Sequence, residues 1–185
     1  MVTIAVAAAG FAGLDYALQP WFQKFGFYFW EWFEVLGWWK LLAAMSFAAF
    51  FCAKTVRWIS GRKIFIEKLS ANIFCSVILA EGFVTVLRLC VGRAAPPLEM
   101  FSPFSANLMS FPSCHTAAAF AALVSVGLRH PKAKAFTWTL AIAAGLGRIC
   151  MGAHYFSDVF AGAFLGMLSA DLIVLARWRI TALIK

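Results

Sequence analysis

The feature that most constrains this chain is the recurrence of long apolar segments along its whole length. They lie at residues 1–14, 41–56, 69–87, 112–128, 135–151 and 158–176. Hydrophobic residues make up 63% of the sequence and charged residues 13%, whereas soluble domains average about half apolar and about a quarter charged. The sequence therefore predicts an all-α fold, a polytopic membrane bundle of about six transmembrane helices, as one domain over residues 1–185.

The basic residues predict how this bundle is oriented. Eleven of the sixteen Lys and Arg residues fall in three segments that six spans would bring to one side: residues 54–68, residues 129–134 and the tail from Arg177. Basic residues favour the cytoplasmic side of a membrane, so the opposite end is expected to face the periplasm or the outside of an inner (plasma) membrane. The net charge of +8 is then mainly a topology signal. Nucleic-acid binding is not expected, because the charge is divided among three short segments.

Residues 16–39 form an unusually aromatic segment, with twelve aromatic side chains in twenty-four positions. Aromatic rings are common where a membrane meets water. The favoured interpretation is an interfacial helix lying along the outer headgroups. A wall that holds a lipid tail or guides a lipid head into a site is compatible with it.

Seven polar residues lie at the predicted outer end of the bundle, where apolar segments begin or end: Arg88, Arg93, Ser113, His115, Arg148, His154 and Asp158. Ionisable groups at this depth are costly unless they are paired, so they mark a functional site by default. Although these residues are far apart in sequence, the predicted topology brings them to one face of the membrane.

These residue types suit phosphoryl transfer. Guanidinium groups bind phosphate oxygens through forked, charge-assisted hydrogen bonds, and a helix that begins at Pro112 or Ser113 points free backbone N–H groups at the same anion. His154 and Asp158 are four residues apart, so they face each other on a helical turn. A carboxylate that accepts the proton of one imidazole nitrogen leaves the other nitrogen as a nucleophile. His115, on another helix, is free to act as a general acid toward the leaving oxygen.

The order and spacing of these residues resemble the type 2 phosphatidic acid phosphatase superfamily, whose motifs are K-x6-R-P, P-S-G-H and S-R-x5-H-x3-D. The first motif is similar to residues 88–96, the second to residues 112–115 and the third to residues 147–158. The resemblance therefore covers residues 88 to 158 in order and with the spacing of the family, together with the six-helix layout.

The resemblance also implies roles for individual residues. It implies a phosphohistidine intermediate on His154, oriented by Asp158, with a second histidine, His115, as proton donor. The phosphate ligands that it implies are Arg88, Ser113 and Arg148. It implies no metal and no other cofactor.

Four positions depart from the family pattern: Arg88 replaces the lysine, Ala95 the arginine of the first motif, Cys114 the glycine and Gly147 the serine. The loss of the arginine at position 95 removes a phosphate ligand. Arg93 lies two residues away, and its long side chain is expected to reach the same anion and to recover part of the loss. Cys114 is expected to offer its backbone N–H to the phosphate, with a thiol that can crowd it.

From these residues and this resemblance, we predict an inner-membrane lipid phosphatase with its site on the periplasmic face. Its partners are the bilayer and a lipid with a terminal phosphate or diphosphate. Lipid A and undecaprenyl diphosphate are slightly favoured over phosphatidylglycerophosphate because the predicted site faces outward. Two alternatives stay open: a lipid-to-lipid phosphotransferase, and a catalytically weakened lipid-binding or transport relative. The sequence leaves the oligomeric state undetermined.

Overall fold

The computed structural model describes residues 2–25, 30–61, 65–98, 100–104 and 108–183, with side chains described except for residues 2–12 and 178–183. These ranges contain seven α-helices: α1 (Val2–Gln23), α2 (Glu31–Glu34), α3 (Trp39–Ser60), α4 (Phe65–Val91), α5 (Cys114–Arg129), α6 (Lys134–Cys150) and α7 (Phe156–Leu183). Short 3-10 turns follow α2 and precede α6. The predicted all-α fold class is confirmed.

Three of the described helices are long and apolar enough to cross a membrane, namely Trp39–Ser60, Phe65–Val91 and Phe156–Arg177, while α5 is apolar but shorter. The predicted count of six spans therefore stays a prediction. The first segment, residues 1–14, lies mostly outside the described side chains. α5 and α6 match their predicted apolar segments to within two residues, and α3, α4 and α7 extend beyond theirs. The extensions consist largely of polar, basic and aromatic residues, which suit the membrane surface and which a hydrophobic window leaves out.

The N-terminal part of the chain differs from its prediction. α1 does not end with the apolar segment at residue 14 but continues to Gln23, and Asp15 is fully buried and paired with Arg93 inside the bundle. The aromatic residues 16–39 do not form one interfacial helix in the described ranges: they include the end of α1, the four-residue α2, a 3-10 turn and the first residue of α3. This segment packs onto α5, where a Cβ atom at Gly37 would lie 2.5 Å from the carbonyl oxygen of His115.

α5 lies at the centre of the bundle. Ten of its sixteen residues are buried, and half of those are alanine. Small residues allow membrane helices to approach closely, and α7 uses two glycines for the same purpose. A Cβ atom at Gly162 would lie 2.5 Å from the carbonyl oxygen of Ser113, and one at Gly166 would lie 2.4 Å from that of Ala117. This close contact holds the start of α7 beside the start of α5.

The loop after α4 turns back into the protein. Gly92 has a φ of +57°, and a Cβ atom there would lie 1.8 Å from the carbonyl oxygen of Ser102, so only glycine fits. The backbone N–H of Ser102 donates to the carbonyl of Gly92 at 2.7 Å, and Arg93 forms an isolated antiparallel bridge with Phe101. This turn buries the side chain of Arg93, which is 4% exposed.

The bundle has two chemically different ends. At one end Arg177 donates to the carbonyl oxygen of Lys68 at 2.9 Å, and the Arg129 guanidinium lies 5.0 Å from the centre of the Phe65 ring. The other end gathers the end of α4, the start of α5, the end of α6 and the start of α7. The residues predicted to act on phosphate lie at this second end, opposite the basic segments.

Candidate active site

His154 and Asp158 form a pair whose protonation can be deduced. His154 precedes α7 and Asp158 lies in its first turn, with 3.6 Å between His154 Nδ1 and Asp158 Oδ2. Ser110 Oγ lies 3.3 Å from the same Nδ1 and donates its single proton to Asp158 Oδ2 at 2.7 Å. Toward His154, Ser110 can therefore only accept. Nδ1 carries the imidazole proton, and Nε2 keeps its lone pair.

The surroundings favour a neutral His154. Burial lowers the pKa of His154 and the charges of Arg148 and Arg88 lower it further, which together outweigh the opposing effect of Asp158. The residue is 6% exposed. A neutral imidazole with an unprotonated Nε2 is the form that can attack an electrophile. The backbone N–H of His154 donates to the carbonyl oxygen of Arg148 at 3.2 Å, so the arginine and the histidine of the third motif lie side by side.

Both oxygens of the Asp158 carboxylate accept hydrogen bonds. Its Oδ2 accepts the backbone N–H of Tyr155 at 3.0 Å in addition to the hydroxyl of Ser110, and its Oδ1 accepts from Arg93 Nη1 at 2.8 Å. The contact with Tyr155 resembles a capping box, in which the third residue of a helix reaches back to its start. A carboxylate at this position is also favoured by the helix dipole. Asp158 is therefore fixed in orientation, and Ser110 links it to His154.

Arg93 lies behind this pair. Its Nη2 donates to Asp15 Oδ2 at 2.8 Å, and its guanidinium lies 4.1 Å from the centre of the Tyr155 ring. Burial acts to lower the pKa of Arg93, but the carboxylates of Asp158 and Asp15 raise it overall. Both terminal nitrogens of Arg93 thus donate hydrogen bonds to carboxylates. This geometry supports a role for Arg93 in positioning Asp158. It gives no support to the expectation that Arg93 contacts the phosphate in place of the arginine missing at position 95. Ala95 itself is exposed.

Arg148 is the guanidinium best prepared to receive an anion. Its Nη1 donates to Glu34 Oε1 at 2.8 Å, and its Nε is buried with no hydrogen-bond partner among the described residues. A buried donor without an acceptor costs about 1–3 kcal/mol, which a phosphate oxygen would recover. Arg88 is held beside the start of α5, because its Nε donates to the carbonyl oxygen of Pro112 at 3.1 Å.

The start of α5 carries the second motif. Ser113 caps the helix: its Oγ accepts from the backbone N–H and the hydroxyl of Thr116 at 3.4 and 3.0 Å. Its own N–H donates to the carbonyl oxygen of Asp158 at 3.0 Å, which ties α5 to α7. The next two amides, of Cys114 and His115, belong to the first turn and have no carbonyl partner within the helix. The Cys114 thiol lies 3.4 Å from His115 Nδ1.

Sequence reasoning did not identify four residues that complete the site: Asp15, Glu34, Ser110 and Ser157. Ser157 donates its backbone N–H to Asp15 Oδ1 at 2.8 Å, so a carboxylate from α1 caps α7. A signal existed for the two acidic residues, since each interrupts an apolar or aromatic segment. No signal marked Ser110 or Ser157, because serine is common at helix ends.

An apolar crevice of about 110 Å³ opens beside the site, between α5, α6 and α7. Its lining includes Ile149 and Val159, the chain neighbours of Arg148 and Asp158, together with Phe120 and Phe156. All the lining side chains are apolar, so the crevice suits an apolar group.

Comparison with known proteins gives a consistent result. The family model of the PAP2 superfamily matches residues 70–182, which include all three motifs. A lipid A 1-phosphatase from Rhizobium etli is 33% identical over 134 residues, covering 68% of this chain and 57% of that protein. The bacitracin transport permease protein BcrC of Bacillus licheniformis is 48% identical over 61 residues, 33% of this chain and 30% of that protein. The chain thus spans little more than half the length of the Rhizobium relative.

A solved structure shares the fold. The crystal structure of Aquifex aeolicus LpxE has a TM-score of 0.65 with this chain at 23% sequence identity, covering 87% of this chain and 94% of that one. At this identity the likeness concerns the arrangement of the helices.

Proposed function

Because the chain belongs to the PAP2 superfamily, we propose that it is an integral-membrane phosphatase that hydrolyses the terminal phosphate or diphosphate of a membrane lipid. The observation that carries the proposal is the arrangement around His154. Its Nδ1 lies 3.3 Å from Ser110 Oγ and 3.6 Å from Asp158 Oδ2, and the charges of two arginines lower its pKa. Such an arrangement can form and break a bond between Nε2 and phosphorus.

In the proposed reaction, Arg148, Arg88 and the first-turn amides of α5 hold the phosphate and stabilise the charge that develops on it. His154 Nε2 attacks phosphorus, and the bond from phosphorus to the lipid oxygen breaks while His115 gives that oxygen a proton. A water molecule then gives a proton to His115, and its oxygen attacks phosphorus. The bond between phosphorus and His154 breaks, inorganic phosphate leaves and both histidines return to their starting states.

A lipid substrate is supported by the surroundings of the site. An apolar crevice lies between α5, α6 and α7, which carry the second and third motifs, and three of the described helices are apolar enough to cross a membrane. The relative from Rhizobium etli, named as a lipid A 1-phosphatase, supports the same class. Lipid A and undecaprenyl diphosphate remain the favoured substrates, in an inner membrane with the site on the periplasmic face, as the distribution of basic residues suggests.

The test is phosphate release by the purified protein from lipid A, undecaprenyl diphosphate and phosphatidylglycerophosphate. We expect release from at least one lipid and a loss on the order of 10³-fold or more in His154→Ala. His130→Ala is the matched control and should keep the activity of the unaltered protein, because His130 packs against the Phe65 ring at the opposite end of the bundle. Absence of release from all three lipids by the unaltered protein would reject hydrolysis of these substrates.

The same assay tests two finer points. Activity should survive EDTA, because arginines and helix amides supply the electrostatic stabilisation that a metal supplies elsewhere; a loss that magnesium restores would contradict this mechanism. An added acceptor lipid separates hydrolysis from phosphotransfer. Phosphate found on the acceptor, in place of free phosphate, would favour the transferase alternative.

A further inference from the structure

Glu34 lies between two groups to which the proposed reaction gives separate tasks. Its Oε1 accepts a hydrogen bond from Arg148 Nη1 at 2.8 Å and lies 3.7 Å from His115 Nε2. A carboxylate oxygen resembles a phosphoryl oxygen, since both are anionic hydrogen-bond acceptors that pair with guanidinium. Glu34 thus holds a position that a phosphate oxygen would take between the arginine and the proton donor.

The backbone on both sides of Glu34 is fixed. Before it, Trp30 packs on α6, where a Cβ atom at Gly147 would lie 3.3 Å from Trp30 Cε3. After it, Gly37 packs against the His115 carbonyl at a distance that excludes any side chain. The family serine of the third motif is replaced here by Gly147, whose missing side chain admits Trp30. The backbone that carries Glu34 is therefore held against the site. The half-buried Glu34 side chain can move away from Arg148 by rotation of its own bonds.

We infer that the Glu34 carboxylate is an internal competitor for the phosphate site. Bound substrate displaces it from Arg148, and after hydrolysis it competes with inorganic phosphate for the same guanidinium. The inference rests on the proposed function for the identity of the substrate, but the competition itself concerns any phosphate-like anion. Glu34 sets affinity and takes no part in bond formation.

Neutralising Glu34 should therefore tighten the binding of phosphate. Glu34→Gln removes the ion pair with which the carboxylate competes for Arg148. An exposed ion pair is worth up to about 1 kcal/mol, which corresponds to roughly fivefold in affinity. Because Arg148 and Glu34 are both partly buried, we expect inorganic phosphate to bind about fivefold more tightly, or better, to Glu34→Gln.

The experiment is calorimetric titration of the full chain in detergent with inorganic phosphate. Glu31→Gln is the matched control, since it removes the same charge from an exposed position on the same short helix and should leave the affinity unchanged. In an Arg148→Ala background, Glu34→Gln should change the affinity by less than twofold, because the competition acts through Arg148. Equal or weaker binding in Glu34→Gln, or equal gains in both glutamate variants, would overturn the inference.

Steady-state kinetics separate competition from a positioning role. Competition predicts a lower KM for the lipid and a lower inhibition constant for inorganic phosphate in Glu34→Gln. A residue that only positions Arg148 or His115 would instead lower kcat and weaken phosphate binding, which would overturn the inference. If the unaltered protein hydrolyses no lipid, the proposed function fails, but the titration with inorganic phosphate still decides the role of Glu34.

Discussion

Arg93 and Asp158 form a buried ion pair across 65 residues of sequence, with Arg93 Nη1 donating to Asp158 Oδ1 at 2.8 Å. The same guanidinium reaches Asp15 on α1. One arginine therefore joins the N-terminal helix, the loop after α4 and the start of α7 behind His154. Since both carboxylates are almost fully buried, the positive charge of Arg93 is needed to stabilise their negative charges.

Arg93→Ala should be severe. Removing one partner of a buried ion pair costs about 3–5 kcal/mol of stability, and a small displacement of Asp158 can cost on the order of 10²-fold in rate. Adding an arginine by Ala95→Arg should not restore activity, because a residue exposed at position 95 cannot replace the pair with Asp158. The measurement is kcat/KM and thermal midpoint for both single variants and the double variant. Recovery of activity in the variant that combines Arg93→Ala with Ala95→Arg would contradict the positioning role and indicate that Arg93 binds phosphate.

Asp15→Asn should reduce turnover although Asp15 is far in sequence from all three motifs. The amide keeps the shape of the carboxylate but loses its charge, which weakens the bond to Arg93. We expect a drop of roughly tenfold in kcat/KM, equivalent to about 1.4 kcal/mol, with a lower thermal midpoint. Asp171→Asn, an exposed acidic position on α7, is the control and should behave as the unaltered protein. Similar effects of both changes would argue against the assigned role of Asp15.

The pH dependence of kcat/KM should report His154. This quantity follows the free enzyme, and the pKa of His154 is lowered by burial and nearby arginines. Protonation removes the Nε2 lone pair, so activity should fall only below the ordinary histidine pKa of about 6.5. Asp158 opposes this lowering, and Asp158→Asn should therefore move the acidic limb to still lower pH while reducing the plateau. An acidic limb above the ordinary value would be inconsistent with this environment.

His115 can be tested through the leaving group. If His115 protonates the leaving oxygen, His115→Ala should lose on the order of 10²–10⁴-fold on a lipid alkyl phosphate. The loss should be much smaller on p-nitrophenyl phosphate, because nitrophenolate leaves readily without a proton. His154→Ala should be impaired equally on both substrates. Equal losses of His115→Ala on both substrates would assign it to phosphate binding or to structure.

The predicted orientation can be tested by cysteine labelling after the native cysteines are replaced. Ser102 and Gly61 are both exposed, at opposite ends of the bundle. A cysteine at Ser102 should react with an impermeant reagent from the periplasmic side, and one at Gly61 only after permeabilisation. The reverse pattern would move the site to the cytoplasmic face.

The sequence by itself determined helices α3 to α7 and the closeness of His154 to Asp158. The apolar segments predict α3 to α7 closely because burial in a membrane depends on local hydrophobicity and length. The predicted helical turn does not include the histidine, because α7 begins at Phe156 and His154 lies in the turn before it. The family motifs also predict that Arg88 and Arg148 bind the phosphate; both lie in the last turn of their helices, α4 and α6, and their contact with phosphate stays a prediction.

Only the tertiary structure decided the partners of Arg93 and Arg148. Arg93 pairs with Asp15 across 78 residues, and Arg148 with Glu34 across 114. A long side chain can reach an anion in several directions, and composition does not say which carboxylate lies within about 3 Å. That choice follows from helix packing: the glycines that bring α7 against α5, and the close contact of Gly37 with His115, set these distances. Such contacts depend on the whole fold, because each requires segments far apart in sequence to be placed correctly at once.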